Sequence, residues 1–481
     1  MLNAIRLFLV MAAVLQSSYT LAQDPGKKTW TLRECVDYAL RNNLTVQRGV
    51  LTQENSEINA RQAKFTMLPN LNTGSSYGFN WGRSIDPTTN LFRTQEIQSF
   101  NLNASASLLL FNGFRVLNQV KQSQADLSAS AKDLEKAQND VILNVVTLYM
   151  NVIFNKELLT NAQSQLASTT QQLERTRKLA EAGSVPRGNV LDLEAQEATN
   201  ELNVINRENG VNLSLLQLKQ SLQLPGDSDL DAEVPQIDIT NELVMDQTAE
   251  EIYRTALGTM PEIESARLKV QSSDLGVRVA SGGLYPRLSV NGNFFTNYSN
   301  ASRSVIEGDP VTTTVPIGYV LPTGETVVTD LVQTPRTFGD YPFQDQISDN
   351  ISRAASLSLQ IPIFNGFSAN SSLQRARISR QVAEINARQA ENTLRQAVET
   401  SFNDAVAAGK TYNSSLKQVQ ARDEAFRMTK QRFDNGAVNY VDYQIAENNL
   451  FQARSDLVRA KYDFIFKKKV LDFFQGKPLD L

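Results

Sequence analysis

Two kinds of hydrophobic spacing divide this chain. Over 71–81, Leu71, Tyr77, Phe79 and Trp81 share one side of a two-residue alternation, opposite Asn72, Gly74, Ser76, Gly78 and Asn80. The alternation returns over 100–111, where Phe100, Leu102, Leu108 and Leu110 oppose Asn101, Asn103, Ser105 and Ser107. It returns again over 288–298 (Leu288, Val290, Phe294 and Tyr298 against Ser289, Asn291, Asn293 and Asn297) and over 351–364 (Leu357, Leu359, Ile361 and Ile363 against Ser352, Ser356, Ser358 and Gln360). Period two marks strands with one apolar face. Runs of about eleven residues suit tilted strands that cross a membrane. Their other faces are small, polar and nearly uncharged, as on the lumen side of an outer-membrane barrel. Four strands cannot close a barrel, for which about eight are the minimum, and lipid does not tolerate an open edge. The pattern therefore predicts that the chain borrows strands from copies of itself, a cyclic trimer giving twelve.

The second spacing is helical. No Gly or Pro interrupts residues 115–182, a stretch of roughly 100 Å if fully helical. Apolar residues recur every seven at Leu127, Leu134, Val141 and Leu148, step by eleven to Leu159, then resume at Leu166, Leu173 and Ala180. Heptads predict a left-handed coiled-coil seam, and the eleven-residue step is a stutter that locally unwinds it. Gly183-Ser184-Val185-Pro186 stops the helix, and a second runs on to about Leu222, so 115–223 reads as a helical hairpin. Thr31 or Thr29 is placed to cap an earlier helix, with Glu34 as the partner of Thr31.

Both patterns occur twice. Leu110-Phe111-Asn112-Gly113-Phe114 returns as Ile363-Phe364-Asn365-Gly366-Phe367, an offset of 253 that also carries Tyr149 to Phe402, Leu173 to Phe426, Gly183 to Gly436 and Glu194 to Glu447. Upstream the offset is 217, carrying Ala39-Leu40 to Ala256-Leu257 and Pro69 to Pro286, so 36 residues are inserted between Pro286 and Phe364. The chain is a duplicated unit. Repeat 1 spans 23–223 (helices 31–67, strands 71–81 and 100–111, hairpin 115–223). Repeat 2 spans 248–474 (helix 248–284, strands 288–298 and 351–364, hairpin 368–474), its seam reading Tyr412, Val419, Phe426 and Phe433. Residues 224–247 link the two, and 475–481 form a tail. The Pro-rich loop 299–350 holds the insertion and has the length of a functional or mobile segment.

Composition narrows the function. Residues 1–22 read as a secretory signal: Arg6, the apolar run Leu7–Leu15, then small residues to Ala22. No later apolar run approaches twenty residues, so no transmembrane helix is expected after it. Net charge is −4, against a nucleic-acid partner. The chain has no histidine, which removes the commonest general base and the favoured metal ligand. No phosphate loop or nucleophile elbow appears, and neither a cofactor nor an enzyme is expected. The single Cys35 reads as a buried structural thiol.

A signal, two strand–loop–strand–long-hairpin repeats and Phe-Asn-Gly-Phe at each strand-to-helix junction together resemble the TolC-like outer-membrane efflux family, over essentially the whole mature chain. The start at Leu32, Ala39, Leu40 and Asn43 fits as well. The resemblance implies an α+β membrane protein: a homotrimer with a twelve-stranded β-barrel in outer-membrane lipid, a periplasmic α-helical barrel and a small equatorial girdle over 224–247 and the tail. It implies a passive exit duct of a tripartite efflux or type I secretion system, served by a periplasmic adaptor and an inner-membrane RND or ABC pump. Gly183, Ser184, Val185, Gly436, Ala437 and Val438 match the family's adaptor-docking tips. The family's gate acids fall partly on this chain: Asp442 stands six after Gly436, Ile445 stands at nine, and Asp192 stands nine after Gly183. The family's tyrosine three before the second glycine is Phe433, and its arginine two after it is Val438. The polar lock is thus replaced by an expected apolar closure at Phe433 with acid rings at Asp442 and Asp192. The rival for those acids is a favourable placement at a helix start. The rival for the chain is a periplasmic coiled-coil adaptor without a pore, which leaves the four strands unexplained.

Overall fold

The computed structural model of the protein describes residues 29–85, 91–235 and 247–477. The leader expected over 1–22 lies outside the described residues, as do 236–246 of the linker and 478–481 of the tail. Two compact units are formed. One gathers the chain up to Glu57, Ala125–Val270 and Val382 onward; the other gathers Ile58–Gln124 and Gln271–Gln381.

The duplication governs the helix boundaries. Helix α1 (Leu32–Asn42) and α2 (Leu44–Phe65) are followed, after strands described below, by α3 (Arg115–Glu181) and α4 (Arg187–Ser221). Their counterparts are α5 (Ala249–Thr259), α6 (Pro261–Ser281), and, after α7 (Phe343–Asp349), α8 (Ser368–Asp434) and α9 (Tyr440–Phe474). α3 and α8 each have 67 residues and α4 and α9 each have 35. The helix expected over 248–284 is interrupted: Pro261 opens α6 and holds Met260 in extended conformation (φ −76°, ψ 124°).

Capping boxes start both short helices. The Glu34 amide donates to Thr31 Oγ1 (3.2 Å) and the Thr31 amide to Glu34 Oε2 (3.0 Å). In the second copy the Thr248 amide donates to Glu251 Oε2 (2.8 Å) and the Glu251 amide to Thr248 Oγ1 (3.4 Å). These bonds satisfy amides that a helix start otherwise leaves unpaired, and they hold the Glu251 carboxyl below its usual range.

Each short helix packs on the midsection of a long one. Cys35 and Ala39 lie with Val145, Tyr149, Val152 and Ile153 in one core, and Ile252 and Ala256 lie with Leu394, Val398 and Ala405 in the other. Cys35 thus occupies the position of Ile252, and burial pushes its thiol up to about 12. The heptad positions named on α3 are all buried or half-buried. One correction concerns its middle. α3 carries a stretch long and apolar enough to cross a membrane by composition, 44% of it buried within the chain; the core residues Val141–Ile153 supply that apolarity. The segment after α4 is pinned beside this core. Strands β1 (Thr29–Trp30) and β4 (Asp231–Ala232) pair in parallel, and the Tyr149 hydroxyl donates to the Trp30 and Glu233 carbonyls (3.0 and 2.8 Å).

The second unit holds a four-stranded antiparallel sheet, order β10-β5-β3-β2, from β2 (Asn70–Ile85), β3 (Phe92–Phe111), β5 (Arg287–Ser299) and β10 (Ser352–Gln360). Its register puts the apolar alternations on one side: Tyr77 faces Phe100 and Phe100 faces Tyr298, while Leu108 faces Val290 and Val290 faces Leu357. Small polar residues line the other side, where Ser107 Oγ donates to Asn291 Oδ1 (2.9 Å). Two boundaries differ from the pattern. β2 and β3 reach past 81 and before 100 because Phe79–Ile85 pair with Phe92–Gln98 as a ribbon beyond β5. β10 ends at Gln360, short of 364, since Pro362 has no amide to donate.

The 299–350 loop is also a correction: it is folded. β6 (Ser304–Glu307) pairs with β9 (Arg336–Gly339), and between them β7 (Val311–Tyr319) pairs with β8 (Thr326–Gln333). Pro316 is accommodated where the β7–β8 register shifts. Helix α7 anchors the base. Buried Gln346 accepts from the Ser299 amide (2.9 Å) and donates to the Ser299 and Tyr341 carbonyls (3.0 and 2.7 Å), while Phe343 lies against Phe100 and Tyr298.

Candidate functional site at the hairpin tips

The two long hairpins turn in the same way. Gly183 (φ +73°) and Gly436 (φ +71°) sit in the left-handed region. The Gly183 amide donates to the Ala180 carbonyl (3.0 Å) and the Ser184 amide to Leu179 (2.8 Å); Gly436 donates to Phe433 (2.9 Å) and Ala437 to Arg432 (2.8 Å). This paired closure is a Schellman turn, which favours glycine because a Cβ is strained there. Space is open around both glycines. Ser184 and Ala437 are exposed, while Val185 and Val438 are half-buried.

The return helices start differently. Asn439 caps α9, its Oδ1 accepting from the Asp442 amide at 2.9 Å. Pro186 precedes α4 with no side-chain cap. Asp442 is therefore a first-turn acid, where the helix dipole favours it. Asp192 is the sixth residue of α4, beyond that turn, so the helix-start explanation reaches only one of the two acids. Both are exposed.

Beside the tips the hairpins pack on each other. Leu173, Val190 and Leu193 form one core with Tyr440 and Tyr443, against which Phe426 and Phe433 lie. Phe433 stands 5.0 Å from Tyr443 and 6.2 Å from Tyr440, ring centre to ring centre. Half-buried among its own chain's rings, Phe433 braces the tip. The Tyr440 hydroxyl is held above its ordinary range by burial first, then by the charges of Glu447 and Asp192.

Polar side chains cross between the hairpins in a ladder. Asn161 donates to Ser455 (2.7 Å), Gln165 to Asn448 (3.2 Å), Ser168 to Glu447 (2.6 Å) and Gln444 to Gln196 (2.5 Å); nearest the turns, Arg175 bridges to Asp434 (2.6 Å). Glu447 is the unusual rung: it is 5% exposed, and burial raises its carboxyl above the usual range, against the opposing effect of Ser168, Tyr443 and Lys430. Its counterpart Glu194 lies half-exposed against Arg177 at 2.8 Å. Sequence reasoning aligned these two glutamates without detecting the difference. Arg175 and Asp434 were missed altogether, and only the partner hairpin distinguishes them from other surface charges. Among the described residues no cluster of His, Cys, Asp or Glu could hold a metal.

A lipid-type sheet face, long hairpins with glycine turns and polar seams define a channel-type envelope protein. Comparison with known proteins agrees. Residues 35–223 and 252–466 match the family described as outer membrane efflux protein. The chain is 21% identical over 457 residues to outer membrane efflux protein BepC of Brucella suis biovar 1, covering 95% of this chain and 87% of that one. It is 21% identical over 444 residues to outer membrane protein TolC of Escherichia coli K12, covering 91% and 80%. The fold superposes on the outer membrane channel CmeC of Campylobacter jejuni with TM-score 0.70 at 18% identity, covering 92% and 85%.

The chain belongs to the outer membrane efflux protein family. It resides in the outer membrane and reaches into the periplasm, where it is an exit duct for efflux systems. The family is one of transport ducts and not of enzymes.

Proposed function

We propose that three copies close one duct, a twelve-stranded barrel in lipid continued by a periplasmic helical barrel. One observation carries this reading. At the first strand-to-helix junction Gly113 is buried, and a Cβ there would stand 2.7 Å from the Tyr285 Cβ and 2.8 Å from the Gly282 carbonyl oxygen. At the second, Gly366 has nothing within 4 Å of the same position, while Ile363 and Phe364 are 95% and 87% exposed. Repeat 2 covers the junction of repeat 1. The junction of repeat 2 requires repeat 1 of another copy, and β10 and β2 remain as unpaired sheet edges. Because β2 and β10 run antiparallel, joining β10 to the next copy's β2 continues the alternation around a ring.

Transport through this duct is passive, with energy supplied by an inner-membrane RND or ABC pump. Gly183-Ser184-Val185 and Gly436-Ala437-Val438 are the docking tips for a periplasmic adaptor: each exposes its first two residues and half-buries its valine in a closed turn, and they are presented in two near-equivalent copies. Asp442 and Asp192 form acid rings at the constriction, where a narrow low-dielectric neck favours cations. Phe433 supplies the apolar closure beside these rings.

The test is conductance in planar bilayers. Discrete channels with cation preference are expected, and Asp192→Ala with Asp442→Ala should raise the threshold for block by multivalent cations. Unchanged conductance and block would remove the gate assignment. Bulky residues at Gly183 and Gly436 should stop export while leaving trimers intact, and normal export would remove the docking assignment.

A further inference from the structure

We propose that the inserted hairpin 304–339 is an interlock between copies, each hairpin lying along the outer end of the next copy's β2–β3 ribbon. The inference rests on the trimer reading above. Its occupant follows from strand lengths. β2 has 16 residues and β10 has nine. β2 begins and β10 ends at one rim, marked by Pro69 and Pro362. Joined to β10 of a neighbour, β2 keeps its outer residues Phe79–Ile85 beyond that strand's reach. The chain that leads into β10 is the hairpin, so topology delivers it to that surplus edge.

The hairpin is built for cover. β7 and β8 pair only with each other, and a lone two-stranded ribbon is marginal in water. Both its faces carry apolar side chains among threonines: Val332 opposite Thr312 and Val328 opposite Pro316 on one, Leu331 opposite Thr313 and Val327 opposite Gly318 on the other. At its turn Leu321 is 91% exposed. With exposed Ile317, Tyr319, Val328 and Val332 beside it on the same hairpin, this clustering of apolar side chains marks a contact site. The hairpin's base is fixed, with Arg336 on Glu307 at 3.1 Å and the Gly308 amide on the Pro335 carbonyl at 2.8 Å. The ribbon offers a matching surface in exposed Phe79, Trp81, Ile85, Leu91 and Phe92.

Lipid is the poorer occupant. Two open edges exclude the hydrocarbon core. The hairpin 304–339 carries Glu307, Asp309, Glu325 and Asp330 against a single base, Arg336, so an anionic headgroup surface repels it. Exposed Arg83 on the ribbon, lying over the Phe92 ring at 4.5 Å, has the complementary sign.

Cysteine cross-linking tests this in the full-length trimer, with buried Cys35 silent. Trp81→Cys or Arg83→Cys is combined with Thr312→Cys, Val328→Cys or Val332→Cys, and the extracted protein is oxidised with copper phenanthroline. Disulfide-linked dimers and trimers on denaturing gels are expected from at least one combination. A trimer of normal native mass with no inter-chain bond in any combination overturns the interlock and leaves the trimer standing. Cross-linking by Val328→Cys alone would show hairpin meeting hairpin and also overturns it. As a second readout, joining Gly308 directly to Pro335 should keep channel conductance but lower the temperature at which the trimer dissociates in detergent by several degrees. An unchanged temperature contradicts the proposal. Absence of a trimer in the unmodified protein would defeat the underlying reading and this one together.

Discussion

The two strand-to-helix junctions carry the same residues in the same backbone and differ only in their surroundings. Gly113 and Phe114 have φ of 66° and 59°, and Gly366 and Phe367 have 60° and 66°. Two successive left-handed residues are costly outside glycine, so the repeated Asn-Gly-Phe is a geometric demand of the turn. Yet the first junction is packed to the point where a methyl would collide, and the second is bare. A duplicated chain that covers one copy of an interface and exposes the other is half of a repeating contact. In the proposed trimer, the bare junction is where another chain belongs.

Substitution at the two glycines should sharpen this comparison most. Gly113→Ala combines left-handed strain with a backbone collision, a loss of about 3 kcal/mol. Gly366→Ala should cost only strain in an isolated chain, roughly 1–2 kcal/mol. Detergent melting of the assembled protein checks this: the two variants should then lower the melting temperature alike. A persistently smaller effect at Gly366 would mean that its junction stays open.

The paired glutamates give the next effect. Ser168→Ala removes the shorter of two donors to buried Glu447 Oε1 (2.6 Å), leaving it only the Tyr443 hydroxyl at 3.4 Å, at a loss of roughly 1–3 kcal/mol near neutral pH. Burial raises the Glu447 carboxyl, so the folded chain holds that proton more tightly than the unfolded one. Its contribution is full below the ordinary carboxylate range and is lost as pH rises through the raised value. Glu447→Gln should therefore flatten the pH profile of melting and cost little at pH 7, and Ser168→Ala should harm less in acid. Glu194→Gln in the first copy should leave the profile unchanged. Equal pH responses from both glutamates would contradict the burial assigned here.

The caps are expected to behave alike. Thr31→Ala and Thr248→Ala should each cost about 1 kcal/mol, measured by the same melts. A twofold difference would show that the two short helices do not share one role. Smallest of all, Cys35 should resist thiol reagents until the protein unfolds.

Much of this was legible in sequence because it is periodic. Heptads named the seam of α3, alternation named the sheet faces, and a constant offset exposed the duplication. Offsets also carried information that pattern alone did not: Thr31 with Glu34 foretells Thr248 with Glu251. The outer ribbon and inserted hairpin were hidden by prolines and charges that ordinarily mark loops; within the hairpin, β7 and β8 pair because both are rich in the strand formers threonine and valine. Burial of Glu447 and the Arg175–Asp434 bridge depend on which hairpin lies opposite, a long-range fact that no local spacing records. The acids proposed for the gate were placed through family likeness, and the helix register then separated Asp442, at a helix start, from Asp192, which is not.

The central claim is that this chain completes its sheet and its second junction with copies of itself. Native mass spectrometry of the protein extracted from outer membranes addresses it directly. The account predicts a single species of three chains. A monomer or dimer, with too few strands to close a barrel, would contradict it.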